Sequence, residues 1–156
     1  MNLTTSPFCS TLVNGNPSKP HSPSRGIRQG DPLSPFLFII MAEGLGHLIK
    51  QAAQSHDLRG ISVHGISMIT HQQFVDDNML FGHPSVSETC TYKALLETFS
   101  KASWTTINTA KSQIFFFHTP IATQRIIARI IGFSQAKLPS HYLGAPLIYS
   151  ALKHTS

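Results

Sequence analysis

The chain has 156 residues, 41% of them apolar and only 12% charged, with a formal net charge of +5 at neutral pH. That length suffices for one domain with a real core, while charge at about half the roughly 25% usual in soluble domains points to a piece that leans on neighbouring protein or nucleic acid. Cys9 and Cys90 stand far apart in no ligand pattern and nine histidines are scattered without a metal-binding pair, which speaks against a disulfide framework or a zinc site and for a reducing compartment.

In chain order, residues 1–30 are rich in Ser, Pro, Asn and Gly, an extended lead-in with Asn14-Gly15 as a hairpin turn. Ser34 followed by Pro35 marks a helix start, because Ser caps free N–H groups and Pro is tolerated at the first helical position. From there to about Gln54, Leu37, Phe38, Met41, Leu45, Leu48, Ile49, Ala52 and Ala53 keep helical spacing. This helix is expected to be buried over most of its first half and amphipathic in its second. Its unbroken apolar run, residues 35–42, is far shorter than the ~20 residues a bilayer needs, so a core helix is expected and no membrane.

Residues 59–65 and 66–75 read as strands parted near Gly65, and residues 78–82 as a returning strand. Residues 85–103 read as a helix with Tyr92, Leu95, Leu96, Phe99 and Ala102 on one face. Residues 112–118 form a strand, residues 119–131 a helix carrying Ile126, Ile127, Ile130 and Ile131, and residues 141–149 a last strand kinked at Gly-Ala-Pro. Helices mixed with short strands and hairpins predict an α+β fold with an antiparallel sheet.

Asp76 and Asp77 then stand at a hairpin tip, side by side in the apolar stretch FVDDNMLFG, with no Lys or Arg nearby in sequence. Burying unpaired carboxylates is costly, and two repel each other. The arms, Phe74, Val75, Met79, Leu80 and Phe81, are expected to anchor in a core and hold the carboxylates at a cleft. Hard cations such as Mg²⁺ take oxygen ligands and bridge carboxylates to phosphates, and a bound cation removes the repulsion. The alternative is a solvated turn, where Asp is common. A second motif, GIRQGDPLSPFLF, sets guanidiniums, an amide and a glycine before the long helix. Arg25 and Arg28 can contact phosphates, Gln29 can bond a nucleotide or template edge, and Gly30 permits close approach or an unusual turn. An ordinary loop with solvated arginines is the alternative.

Together the two motifs resemble the reverse transcriptase domain of non-LTR (LINE-type) retrotransposons, particularly the plant kind. RGIRQGDPLSPFLF is similar to that family's block leading into a palm helix, and FVDDNMLF to its F-x-D-D hairpin. SWTTINTAKSQIFF, with Asn108, Lys111 and Ser112, HYLGAPL, and upstream LVNGNPSKP resemble further blocks in the same order. The resemblance implies a partial domain over residues 1–156: a lead-in at 1–30, the palm helix at 33–54, the catalytic hairpin at 66–82, and the rest of the palm with a primer-supporting strand at 85–149.

It also implies RNA-templated DNA synthesis, in which a primer hydroxyl attacks a deoxynucleoside triphosphate at a two-metal site holding Mg²⁺, or Mn²⁺ in its place. Asp76 would be a metal ligand and Asp77 its less direct partner. Arg25, Arg28, Gln29 and Gly30 would border nucleotide and template. Lys111 would approach the leaving pyrophosphate as a catalytic acid or a plain phosphate contact, and Tyr142, Leu143 and Gly144 would help hold the primer. The implied partners are an RNA template, a DNA primer, deoxynucleoside triphosphates, and fingers and thumb segments of a longer polyprotein. The implied location is intracellular and nuclear.

The resemblance also implies a further Asp on a strand upstream of the Arg-Gln-Gly block, yet no acid precedes Asp31. Val75 stands where the family usually has Ala, Asn78 where it often has Thr or Ser, and Gln72-Gln73 put amides in a strand expected to be buried. Three readings follow: a polymerase fragment inactive alone, a module that binds RNA or primer–template without chemistry, and an inert transposon remnant.

Overall fold

A computed structural model describes residues 8–22, 30–63, 66–137 and 140–147. The chain divides into two compact units, residues 1–44 and 45–156.

In the first unit, β1 (Leu12–Val13) pairs antiparallel with β2 (Asn16–Pro17) across Asn14 and Gly15. Both turn residues have positive φ, 50° and 81°, the pattern of a type I′ turn, which matches the right-handed twist of its strands. A bridge between Cys9 and His21 continues the pairing. Helix α1 (Ser34–Gln54) starts where the Ser-Pro pair predicts. Its lead-in is fastened by Asp31, whose carboxylate accepts from the Leu33 N–H at 2.9 Å while its carbonyl accepts from the Ser34 N–H at 3.0 Å. Asp31 is thus a turn residue that satisfies helix-entry donors.

The second half of α1 is amphipathic as expected, but the first half is not buried. Phe36 and Ile40 are 65% and 69% exposed, and Leu37 and Ile39 are exposed as well. The buried positions, Leu45, Gly46, Ile49 and Ala52, lie in its second half. Leu45, Ile49 and Ala52 recur at i, i+4 and i+7, one stripe of a 3.6-residue period, and this stripe, with Ala53 beside it, joins the core of the second unit. By length and composition alone α1 is long and apolar enough to cross a membrane. A core helix passes the same test, and the buried stripe shows α1's second half acting as one.

The second unit continues with β3 (Ile61–Val63) and β4 (Ile66–Ile69), an antiparallel pair with an irregular register. The strand expected over residues 66–75 is cut at Thr70, and its remainder is β5 (His71–Phe74), paired with β6 (Asp77–Leu80). Helix α2 (Val86–Ser103) follows with Ser85 as N-cap. β7 (Gln113–Ile114) is much shorter than the strand expected over residues 112–118, and it pairs parallel, not antiparallel, with β8 (Ser134–Gln135). The crossover between them carries α3 (Ile121–Ile131), as a parallel pair requires. Gly132, in the left-handed region, closes α3 by donating to the Ala128 carbonyl at 3.0 Å.

The last strand is in fact a hairpin, β9 (Ser140–Tyr142) and β10 (Ala145–Leu147), turned by Leu143 and Gly144 with φ of 52° and 79°. The fold is therefore α+β. Among the described residues the strands form five two-stranded ladders, four antiparallel and one parallel. The core joins Leu45, Ile49, Ala52, Leu58 and Tyr92, with Leu80, Leu95, Leu96, Phe99 and Ile131 packed against it. It thus ties α1, α2, the end of α3 and the return arm of the acidic hairpin.

Candidate active site

The acidic hairpin has four facing pairs, from His71↔Leu80 at its base to Phe74↔Asp77 at its tip. Val75 and Asp76 make the two-residue turn, so Asp76 sits in the turn and Asp77 opens the return strand. Val75 has φ 51°, while Asp76 is not left-handed. A positive φ at the first central position alone is the II′ pattern, where glycine is usual. A β-branched residue there is strained. Both carboxylates are exposed. Among the described residues neither has a hydrogen bond or an ion pair.

The expected apolar anchoring is only half right. Phe74 and Val75 are exposed at the tip, Val75 by 62%, while Met79, Leu80 and Phe81 are half-buried. The reason is pleat and position: Leu80 lies at the base, where it reaches the core, while the tip projects past it.

The base is held by groups the sequence reading did not single out for function. The Tyr92 hydroxyl lies 2.6 Å from the Phe81 carbonyl and 3.0 Å from the Thr70 carbonyl. The Thr70 carbonyl also accepts from the Phe81 N–H at 2.8 Å. The hydroxyl's single proton serves these two carbonyls where the arms meet. Burial first, and the neighbouring Glu88 second, push the Tyr92 phenol's pKa up.

Glu88 is only 5% exposed. Its N–H donates to the Ser85 hydroxyl at 3.2 Å, and its carboxylate accepts from the His83 N–H at 3.1 Å. This is a variant of the capping box, reaching two residues beyond the cap. A Cβ on Gly82 would come 3.0 Å from the Glu88 carboxylate and 3.1 Å from the Tyr92 ring, so a side chain here would make the clamp shift by a few tenths of an ångström. The legible signal was the spacing Ser85-x-x-Glu88.

The amides of β5 do not interrupt the hairpin. Gln72 faces solvent, and Gln73, half-buried, donates to the Asn78 side chain at 3.0 Å directly across the ladder. Asn78 in turn donates to the Asp76 carbonyl at 3.2 Å. Gln73 also lies against α1 at Gly46, where a Cβ would meet its Oε1 at 3.0 Å and His71 Nε2 at 3.3 Å.

Of the remaining predicted residues, Arg25, Arg28 and Gln29 lie outside the described residues. Gly30, in the first unit, has φ 84°, as an unusual turn requires, and open space at its Cβ position among the described residues. Lys111 is exposed in a turn set by Asn108, whose side chain accepts from the Lys111 N–H at 3.2 Å and whose carbonyl accepts from the Ser112 hydroxyl at 2.9 Å. Leu143 and Gly144 form the β9–β10 turn. Tyr142 stands at the end of β9, half-buried, its hydroxyl shielded from solvent and without a hydrogen-bond partner among the described residues. Burial first, and the charge of Asp77 second, push this phenol's pKa up, so the last hairpin brings Tyr142 within electrostatic reach of the acidic tip.

Two adjacent exposed carboxylates offer hard oxygen donors that fit a divalent cation such as Mg²⁺. Among the described residues no third His, Cys, Asp or Glu joins them. The pair is therefore a partial ligand set.

Fold and site together define an α+β domain built around a braced acidic hairpin. The chain belongs to the reverse transcriptase (RNA-dependent DNA polymerase) family, whose model matches residues 2–147. Over 67 residues it is 48% identical to an uncharacterized mitochondrial protein of Arabidopsis thaliana, covering 42% of this chain and 55% of that relative. The chain thus spans about half the length of this curated relative.

Proposed function

We propose that the chain supplies the acidic hairpin of a LINE-type reverse transcriptase, which extends a DNA primer on an RNA template from deoxynucleoside triphosphates. The observation that carries this reading is the presentation of Asp76 and Asp77, adjacent, exposed and unpaired among the described residues, on a hairpin clamped at its base. Asp76 binds the cation and Asp77 assists from the next position. A bound divalent cation supplies charge neutralisation and Lewis acidity for phosphoryl transfer. Tyr142, Leu143 and Gly144 support the primer end, Lys111 meets the phosphates, and Arg25, Arg28, Gln29 and Gly30 border nucleotide and template. The full metal set takes a further Asp from outside this chain's acidic hairpin. Chemistry therefore calls for a longer or complemented protein.

The test is primer extension on an RNA template by a longer chain carrying a family upstream strand with its Asp. Extension that is Mg²⁺-dependent and lost in Asp76→Ala supports the reading. Extension unaffected by Asp76→Ala sinks it.

Binding without chemistry is the second reading, favoured by the net charge of +5 and by exposed Lys111 and Lys137. Backbone contacts would make RNA binding fall steeply with salt and depend little on sequence. A flat salt response argues against it. A nuclear location goes with the retrotransposon reading, whereas the Arabidopsis relative is described as mitochondrial. Imaging the tagged chain separates the two.

A further inference from the structure

The tip of the acidic hairpin holds a conformation that its own residues do not favour. Val75 is β-branched and left-handed at φ 51°, a combination that persists only where the surroundings over-determine it. Phe74 and Val75 are exposed, so apolar packing does not supply that constraint. The groups that reach the turn are amides. Asn78 donates to the Asp76 carbonyl at 3.2 Å, and Gln73 donates to Asn78 at 3.0 Å from the facing strand. Gln73 is itself seated against α1 where Gly46 leaves no Cβ. A line of contacts thus runs from a buried helix position to the backbone of Asp76.

We infer that Asn78, held in place by Gln73, is a positioning residue for Asp76: its amide pins the Asp76 carbonyl and fixes the turn, and with it the direction in which the carboxylate leaves the tip. An Asn side chain suits this because it accepts through Oδ1 and donates through Nδ2 at once. The aim of the carboxylate toward a cation rests on the proposed function; the hold on the turn does not.

The experiment uses the full chain with Mn²⁺ as probe. NMR reads the strong intraresidue HN–Hα NOE that marks positive φ at Val75, and electron paramagnetic resonance reads Mn²⁺ affinity. In Asn78→Ala the NOE is expected to vanish and Mn²⁺ affinity to fall about 5- to 10-fold, the scale of a lost hydrogen bond to a ligand's support. Gln73→Ala keeps the Asn78 donor and serves as the milder variant, with a smaller loss of both. Unfolding midpoints within a few degrees of the parent show that either loss is local. Persistence of the NOE in both variants overturns the inference. So does a lost NOE with unchanged Mn²⁺ affinity while Asp76→Ala lowers that affinity. If Asp76→Ala leaves Mn²⁺ binding unchanged, the functional reading fails. Loss of the Val75 NOE in Asn78→Ala then still supports the hold on the turn, and its persistence overturns it.

Discussion

The base and the tip of one hairpin, four residue pairs apart, are built on opposite terms. At the base Thr70, Phe81 and Gly82 meet a buried tyrosine and a buried glutamate that satisfy two backbone carbonyls and a backbone N–H. At the tip Val75 is strained, two like charges adjoin, and both carboxylates are open to solvent. Stability concentrates at the base, and unmet bonding capacity concentrates at the tip. A strained turn with two open carboxylates is carried on a base whose buried polar groups are paired.

The largest break in this contrast comes from the core beneath the base. Leu58 is fully buried and Ile49 is 1% exposed, so Leu58→Ala is expected to cost about 3 kcal/mol, in the range for large-to-small core changes. Denaturant unfolding checks this, with a clear drop in midpoint.

Next comes the clamp. Tyr92→Phe removes a hydrogen bond from carbonyls at the hairpin's mouth and is expected to cost about 1–2 kcal/mol. Amide exchange at Phe81 should quicken while exchange in α3 follows only the global change. The same residue predicts an alkaline limit. Its pKa is raised in the folded chain, so above the unfolded value of 10.0 the unfolded state gives up its proton while the folded state keeps it. Stability is full below pH 10 and falls as pH rises through and beyond it. Tyr92→Phe should flatten that decline, leaving what Tyr142 contributes in the same direction.

The smallest expected effects are gains. Trp104 caps α2 in the left-handed conformation, φ 57°, and is 79% exposed. Glycine is the natural residue there, so Trp104→Gly is expected to stabilise by about 1 kcal/mol, read as a higher melting temperature. Val75→Gly relieves the tip by a similar or smaller amount, about 0.5–1 kcal/mol, and should leave exchange at the base unchanged. A loss of stability in Val75→Gly would show that the tip is not strained.

Much of this was legible in the residues. Ser34-Pro35 marks the start of α1, Asn14-Gly15 the first turn, and the acidic hairpin lies within the expected 66–82, though only over 71–80, because caps, turn residues and strand alternation are local signals. The burial of α1 was misjudged because periodicity shows that a face is apolar, not which stretch of it meets a core. Thr70 gives no local hint that it divides a strand. Periodicity alone reads residues 141–149 as one strand kinked at Gly-Ala-Pro, since Leu is an unusual occupant of a left-handed position, whereas the resemblance of HYLGAPL to a short hairpin agrees with the β9–β10 turn. The Tyr92 clamp, the Gln73–Asn78 pair and the parallel β7–β8 pairing join residues through tertiary contacts or across strands, and no spacing rule announces them. At the site, the carboxylate pair was legible by chemistry, and of the devices that hold it only the Ser85-x-x-Glu88 cap has a spacing to give it away.

The two-residue turn makes the hairpin a ruler with parity. Phe74 faces Asp77 across the narrowest loop a hairpin has, so every side chain's face is counted from that pair. Removing one residue from each arm swaps the faces of everything below the turn and shortens the reach by about 3.4 Å. Removing two from each restores the faces and draws the carboxylates back by about 7 Å. Arm length is therefore quantised for this chain. The distance from clamp to carboxylate can change only in steps of two residues per arm, and the first such step already exceeds the reach of a metal–oxygen bond.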